Sequence, residues 1–329
     1  MNSSPLNIAI VAGGDSSEYE VSIRSAKNIL NNLNPADFDA RMVVISKQGW
    51  TVHDNDGLDY PINRHDFSWQ SNGKVRHFDA VINSIHGTPG ENGILPAYFE
   101  LIGMPFTGCR SFASALTFNK FHCNQVLKNS GINVSPSILI RKDHTFDINN
   151  IIENIGIPCF VKPNNGGSSC GTSRVNHPGE ILSALDKALR EDREAIIEKL
   201  LVGTEVTCGL LKTANAREVF PVTEIISKKE FFDYEAKYTP GMSDEITPAR
   251  ISAETARSVQ NLSLLIYDLL DCRGVVRMDY ILVDKIPWFL EVNTVPGMSP
   301  HSIVPKQALM SGLSLNELFS ILLRDAMSA

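Results

Sequence analysis

The sequence predicts a protein of mixed α/β and α+β class, in which an N-terminal α/β unit with a parallel sheet is followed by two α+β units. Three observations carry this expectation. Residues 7–12, NIAIVA, form an apolar run closed by Gly13-Gly14, and Val21, Ala26, Ile29 and Leu33 then recur at helical spacing. From about Ser111 that rhythm gives way to a glycine-rich loop set between two apolar strands. Near the C-terminus, RMDYILVDKIPWFLEVN (277–293) reads as an apolar hairpin interrupted by Arg277, Asp279, Glu291 and Asn293.

Taken in order, NIAIVA is a strand and the segment from about Ser17 to Leu33 a helix, followed by strands at RMVVIS and FDAVINSIH and a helix through ILPAYFELIG closed by Gly103. These make a first domain, 1–110, with ligand loops at the strand ends. Residues 111–201 follow as a central domain. It has a helix ending at Gly131, a strand IPCFVKP, the glycine loop, a strand TSRV, a helix of Ile181 to Leu189 type and a strand AIIEKLL. The third domain, 202–329, holds strands VTCGLL and EVFPVTEI, the polar segment FFDYEAKYTPGMSDEITPA, a helix near Ala253 to Leu270, and the hairpin. No internal repeat or low-complexity tract interrupts the pattern.

A chain of 329 residues with 43% apolar residues has enough material for two or three cores. The net charge of -7, with Lys and Arg scattered, supplies no basic stripe for a nucleic-acid backbone or a lipid surface. Small anionic ligands remain open, since they need only local positive charge. The six cysteines never form C-x-x-C and read as reduced thiols. The N-terminus lacks a signal-peptide pattern, and no apolar run approaches the ~18 residues of a membrane helix, so a cytoplasmic protein with no membrane partner is expected.

If the hairpin turns around Asp284-Lys285-Ile286, Asp279 faces Glu291, Arg277 faces Asn293, and alternation projects all four from one side. Opposed carboxylates repel unless a proton or a cation lies between them. Two carboxylates and an amide oxygen form a hard-oxygen set that suits Mg²⁺, and the neighbouring arginine suits an anion. A surface ion-pair lattice is the plainer alternative, but apolar flanks on both sides weigh against it.

KPNNGGSSCGTSRV, from Lys162, offers Gly166, Gly167 and Gly171 for close backbone approach to phosphate oxygens, with Ser168 and Ser169 as further donors. GxxxxGK[ST] is absent and the loop leads into a strand, so a β-turn-β lid fits better than a P-loop. Leu116, Lys120, Cys123 and Leu127 fall on one helical stripe, which places an ammonium inward where it needs an anion. Glu198 and Glu205, around EKLLVGTE, are generic surface sequence when read alone.

Together GGDSSEYEVS, HGTPGENG, the KP-GGSS-G loop, DYEAKY, RMD and EVNTVPGM closely resemble the D-alanine:D-alanine ligases of the ATP-grasp superfamily, nearly end to end. The resemblance implies a three-domain ATP-grasp architecture with an N-terminal domain, a central lid and a C-terminal antiparallel-sheet domain. The implied reaction is ATP-dependent ligation of two D-alanines through an acyl phosphate, for peptidoglycan precursors. It implies ATP contacts at Lys120, Lys162, Glu198, Lys199, Leu201, Glu205 and Leu290, and two Mg²⁺, replaceable by Mn²⁺, on Asp279, Glu291 and Asn293. Glu18 is implied at the amino group of the first D-alanine, with His86 near that substrate, and Ser302 and Ile303 at the second. Ser168 and Tyr238 are implied to join Glu18 in a triad that latches the lid, while Arg277 and the Gly297 N–H stabilise the tetrahedral oxyanion. A homodimer is also implied.

Departures are few. Cys170 stands where an aliphatic residue is usual, Asn164-Asn165-Gly166 replaces a more charged run, and Pro300 precedes His301-Ser302. Competing readings are a relative that makes a D-Ala-D-Ser or D-Ala-D-Lac product and a non-catalytic nucleotide-binding protein. A dinucleotide oxidoreductase is weaker, because G-x-G-x-x-G is missing.

Overall fold

The computed structural model describes residues 4–227 and 243–328. The first part contains β1 (Leu6–Gly13), α1 (Tyr19–Asn32), β2 (Phe38–Ser46), β3 (Gly49–His53), β4 (Asp59–Asn63), β5 (Ser68–Ser71), β6 (Lys74–Arg76), β7 (Ala80–Asn83) and α2 (Ile94–Leu101). Its sheet runs β6-β5-β4-β3-β2-β1-β7. The β7, β1 and β2 strands are parallel as expected, whereas β2 to β6 pair antiparallel, so the sheet is mixed. β3 to β6 leave no clear sequence signal, because strands of three to five residues such as DYPIN or KVR carry too little alternation to register.

β1 is apolar throughout because both of its faces are covered. Ile8, Ile10 and Ala12 pack with Ala26 and Ile29 of α1 and with residues from the C-terminal end of the chain, including Leu318 and Leu322. Ala9 and Val11 face Val43, Phe67 and Phe99 on the other side. Each such side chain contributes about 1.5–3 kcal/mol by leaving water, and truncating Ile10 to Ala would cost about 2–5 kcal/mol.

The middle part holds α3 (Ser111–Phe118), α4 (Lys120–Asn129), β8 (Ser137–Arg141), α5 (Ile148–Ile155), β9 (Cys159–Pro163), β10 (Ser173–Val175), α6 (Ile181–Glu191) and β11 (Glu194–Lys199), with a sheet ordered β10-β9-β11-β8. The expected single helix ending at Gly131 is two. Asn119 takes an extended conformation and its side chain accepts the His122 N–H, so α3 stops and α4 is capped anew. Ala113, Cys123 and Leu127 of these helices join the C-terminal core. Buried residues from Ile140 to Ile197 form a separate cluster of their own. That cluster gives the middle part a core of its own.

The last part holds β12 (Thr204–Lys212), β13 (Arg217–Val219), β14 (Thr223–Ser227), β15 (Ser243–Ile246), α7 (Ala253–Leu269), β16 (Gly274–Val283), β17 (Ile286–Asn293), α8 (Ile303–Met310) and α9 (Leu315–Ser328). The sheet runs β15-β14-β12-β16-β17, with β13 beside β12, and every pairing is antiparallel. EVFPVTEI, expected as one strand, is β13 and β14 separated at Phe220-Pro221-Val222, because proline cannot continue the ladder.

The hairpin corrects its own expected turn. Val283 pairs with Ile286, so the loop has two residues, Asp284 and Lys285, with φ of 50° and 69° as a tight twisted turn requires. That register alone would set Asp279 opposite Leu290. A β-bulge at Leu290 shifts it, and Asp279 pairs with Glu291 and Arg277 with Asn293, as expected.

Candidate active site

The bulge decides which side chains reach the cleft. Two residues of β17 oppose one of β16, so Leu290 and Glu291 line the same cavity instead of alternating away from each other. Tyr280 and Phe289, on the opposite face, are buried in the core.

Asp279 is the hub of the polar face. Arg277 grips its carboxylate with Nε at 2.9 Å and Nη2 at 2.7 Å, and Asn293 Nδ2 donates to Oδ2 at 3.1 Å. Thr207, from the neighbouring β12, donates its hydroxyl to Oδ1 at 2.5 Å. Asn293 engages Asp279 through its amide nitrogen, which leaves the amide oxygen uncommitted to that contact. Among the described residues there is no group of three or more His, Cys, Asp or Glu that could hold a metal. Asp279, Glu291 and the Asn293 amide oxygen form a hard-oxygen set, which suits an ion that takes few protein ligands, as Mg²⁺ does.

The cleft between the lid and the C-terminal sheet encloses about 290 Å³, and Lys120, Lys162, Glu198, Lys199, Leu201, Glu205 and Leu290 all line it together with Ser168, Asp279 and Glu291. Lys120 opens α4 and its Nζ reaches Gly166 O at 2.5 Å. Lys162 lies on β9, with Nζ 2.6 Å from Glu198 Oε2. Burial would lower the Lys162 pKa, but the carboxylates of Glu198 and Glu291 outweigh it and hold the ammonium charged. Asn124, buried on α4, donates to Glu198 Oε1 at 3.2 Å and so fixes the partner of the lysine.

The glycine loop joins β9 to β10, the β-turn-β form expected. Asn164 anchors its start by accepting the Phe121 N–H at 2.9 Å and donating to Glu194 Oε2 at 2.8 Å. Ser168 and Ser169 adopt positive φ of 52° and 56°, which turns the loop towards α1. There Ser168 Oγ donates to Glu18 Oε1 at 2.5 Å. Gly167 lies against the same carboxylate, since a Cβ there would stand 2.5 Å from Glu18 Oε2. Cys170 Sγ is 3.5 Å from Ser17 Oγ across the same junction. Tyr238, the expected third member of the triad, lies outside the described residues.

His86, buried between the N-terminal and C-terminal units, places Nδ1 2.7 Å from Val295 O and Nε2 3.1 Å from Ser25 Oγ. Burial lowers its pKa, against the attraction of Glu18, so the ring is neutral. Ser302 caps α8 in position, and its Oγ lies 2.8 Å from Ser299 Oγ and 2.8 Å from where a Cβ on Gly297 would sit. Ile303 is buried at the start of the same helix.

Several site groups escaped sequence reading: Thr207, Asn124, Ser25, Asn28 and Glu91. Glu91 accepts the Gly87 N–H at 2.7 Å and the Val295 N–H at 3.2 Å. Burial, with Glu18 and Glu291 adding repulsion, pushes its pKa up to about 8 against those two donors. The one sequence signal for it was its place in HGTPGENG.

The chain matches two family models, "D-ala D-ala ligase N-terminus" over residues 7–109 and "D-ala D-ala ligase C-terminus" over residues 126–324. It is 46% identical to the D-alanine--D-alanine ligase of Phocaeicola vulgatus over 97% of this chain and 98% of that one. With the ligase of Flavobacterium johnsoniae it shares 44% identity over 95% and 97%. Among solved structures, the VanG D-Ala:D-Ser ligase of Enterococcus faecalis superposes with a TM-score of 0.86 at 32% identity, covering 99% of both chains. The D-alanine--D-alanine ligase of Bacillus anthracis complexed with ATP gives 0.80 at 26% identity, over 98% of each.

Proposed function

The chain belongs to the D-alanine–D-alanine ligase family, and on that premise we propose how its own residues divide the work. It is an ATP-dependent ligase that joins two D-alanines, a step in making peptidoglycan precursors. We assign domains at 1–110, 111–201 and 202–329, with α3 and α4 connecting the lid to the C-terminal core.

A carboxylate is a poor electrophile, so the first D-alanine must be activated by taking the γ-phosphoryl of ATP as an acyl phosphate. Lys120 and Lys162 neutralise the phosphates, with Glu198 and Asn124 holding Lys162 in place. Glu198, Lys199, Leu201, Glu205 and Leu290 receive the nucleoside. Asp279, Glu291 and Asn293 would hold two Mg²⁺, or Mn²⁺ in their place, which when bound would offset charge on the phosphoryl group. Glu18 takes the ammonium of the first D-alanine, while Ser168 and Gly167 close the lid against it and exclude water that would hydrolyse the acyl phosphate.

The amine of the second D-alanine, bordered by Ser302 and Ile303, attacks the acyl carbon. Arg277 and the Gly297 N–H receive the developing oxyanion, and phosphate leaves as the amide forms. The observation that carries this reading is the convergence of all seven expected ATP residues with Asp279, Glu291 and Ser168 on one cleft. With Mg-ATP, phosphate release should require D-alanine and yield D-alanyl-D-alanine. Release with L-alanine but not D-alanine, or a D-Ala-D-Ser product in preference, would overturn it.

We also propose a cytoplasmic homodimer. Five of the six cysteines are buried free thiols, and no helix among the described residues is long and apolar enough to cross a membrane. Ile94 and Leu101 of α2 and Phe112 of the adjoining α3 are exposed, and a second copy would cover them. Phe112→Asp should convert the protein to a monomer in light scattering; a wild type that is already monomeric sinks the dimer.

A further inference from the structure

Gly297 is the residue whose N–H is assigned to the oxyanion, yet the segment around it has little means of holding itself. Pro296 has no N–H, and Gly297 has no side chain. What fixes the segment is a set of side chains from the N-terminal unit that binds its two ends. Val295 O accepts from His86 Nδ1 at 2.7 Å, and Val295 N donates to Glu91 Oε1 at 3.2 Å. Met298 N donates to Ser25 Oγ at 3.1 Å, and Met298 O accepts from Asn28 Nδ2 at 2.6 Å. Both backbone polar groups of each flanking residue are therefore held, and Ser25, Asn28, His86, Val295 and Met298 are buried while Glu91 is partly buried.

The proton positions follow from the partners. Val295 O only accepts, so His86 Nδ1 carries the hydrogen. In the neutral ring Nε2 then accepts the Ser25 hydroxyl proton across 3.1 Å, while Ser25 Oγ takes the Met298 N–H. The relay runs from Met298 through Ser25 and His86 back to Val295 and closes around Pro296-Gly297. With both ring nitrogens bonded to protein, His86 serves the loop.

We propose that Ser25 and Asn28, acting with His86, are positioning residues that aim the Gly297 N–H at the reacting carbonyl of the second half-reaction. They touch neither substrate nor phosphate. They sit on α1, the helix that begins just after Glu18, so the element that recognises the first D-alanine also sets the donor for attack by the second. This rests on the oxyanion role given to Gly297 above.

Two half-reactions separate the proposal from a merely structural role. Acyl-phosphate formation is read as D-alanine-dependent scrambling of ¹⁸O between bridging and non-bridging positions of ATP, and the second step as dipeptide formation. Ser25→Ala should keep the scrambling rate and lose dipeptide turnover by about 10- to 100-fold, the scale expected when a reacting group is misplaced by about 1 Å. Asn28→Ala, at the helix edge of the clamp, should show the same split if Ser25→Ala fails to fold. Equal loss in both half-reactions, or wild-type behaviour in both, overturns the clamp. A wild type that makes dipeptide in the same experiment keeps the ligase reading intact whichever way the variants behave.

Discussion

Ser168 Oγ donates to Glu18 Oε1 across 2.5 Å, joining the glycine loop to the residue that precedes α1 over 150 positions of sequence. On the proposed assignment, lid closure and recognition of the first substrate share this carboxylate. Ser168→Ala removes a hydrogen bond to a charged group, worth about 1.5–3 kcal/mol, so kcat/KM for D-alanine should fall by about 10- to 100-fold. Steady-state kinetics check this, with the melting temperature unchanged; an effect confined to the KM for ATP would count against the latch.

Gly167→Ala should act more strongly, because its Cβ would stand 2.5 Å from Glu18 Oε2 and either the lid or the carboxylate must give way. A loss of about 100-fold in D-alanine turnover is expected. Nucleotide binding, measured by calorimetry without D-alanine, should change little.

Glu291→Gln keeps the shape of the side chain and removes its charge. Dipeptide formation should be abolished and Mg²⁺ titration should no longer saturate, while circular dichroism and thermal unfolding stay as in the wild type. Near-normal turnover in this variant would refute the metal assignment.

A pH-dependent part of stability lies far from the site, in the first domain. Burial alone would raise the Asp54 pKa, but Arg41 Nε at 2.6 Å, with help from Asn55 N–H and Ser71, brings it down to about 2 from the usual 3.8. A depressed acid stabilises the fold above its unfolded pKa and loses that contribution as pH falls through the folded value. Asp54→Asn should therefore lower urea stability at pH 7 by about 2 kcal/mol. The gap between variant and wild type should narrow as pH falls from 3.8 towards 2; a gap of constant size down to that pH would exclude this ion pair as its source.

Much of the site was legible because its residues are local. Lys162 and the glycine loop are contiguous, and the polar face of the hairpin follows from alternation along two strands. The lysine stripe was legible too, although its helix proved to be two, since Asn119 caps α4 and the spacing alone does not reveal a break. Asn124 and Thr207 left no signal, because a buried asparagine on a helix and a threonine in a strand look ordinary until their neighbours are known. Thr207 matters because β12 sets it beside Asp279 in register, a relation between residues 72 positions apart.

The sequence by itself determined the class of the units, the family, and the charged side chains on which the proposed phosphate and metal roles rest, since these depend on residue types at short spacing. The tertiary structure decided what those side chains can do together. The bulge at Leu290 brings Glu291 opposite Asp279 despite a two-residue turn, and periodicity cannot encode a single extra residue in a ladder. The Ser168–Glu18 contact and the clamp on Val295 and Met298 join the lid and the C-terminal unit to α1 and its neighbouring loop. Hydrogen bonds act over about 3 Å whatever the separation along the chain, so only the packing of the units against one another fixes which partners meet.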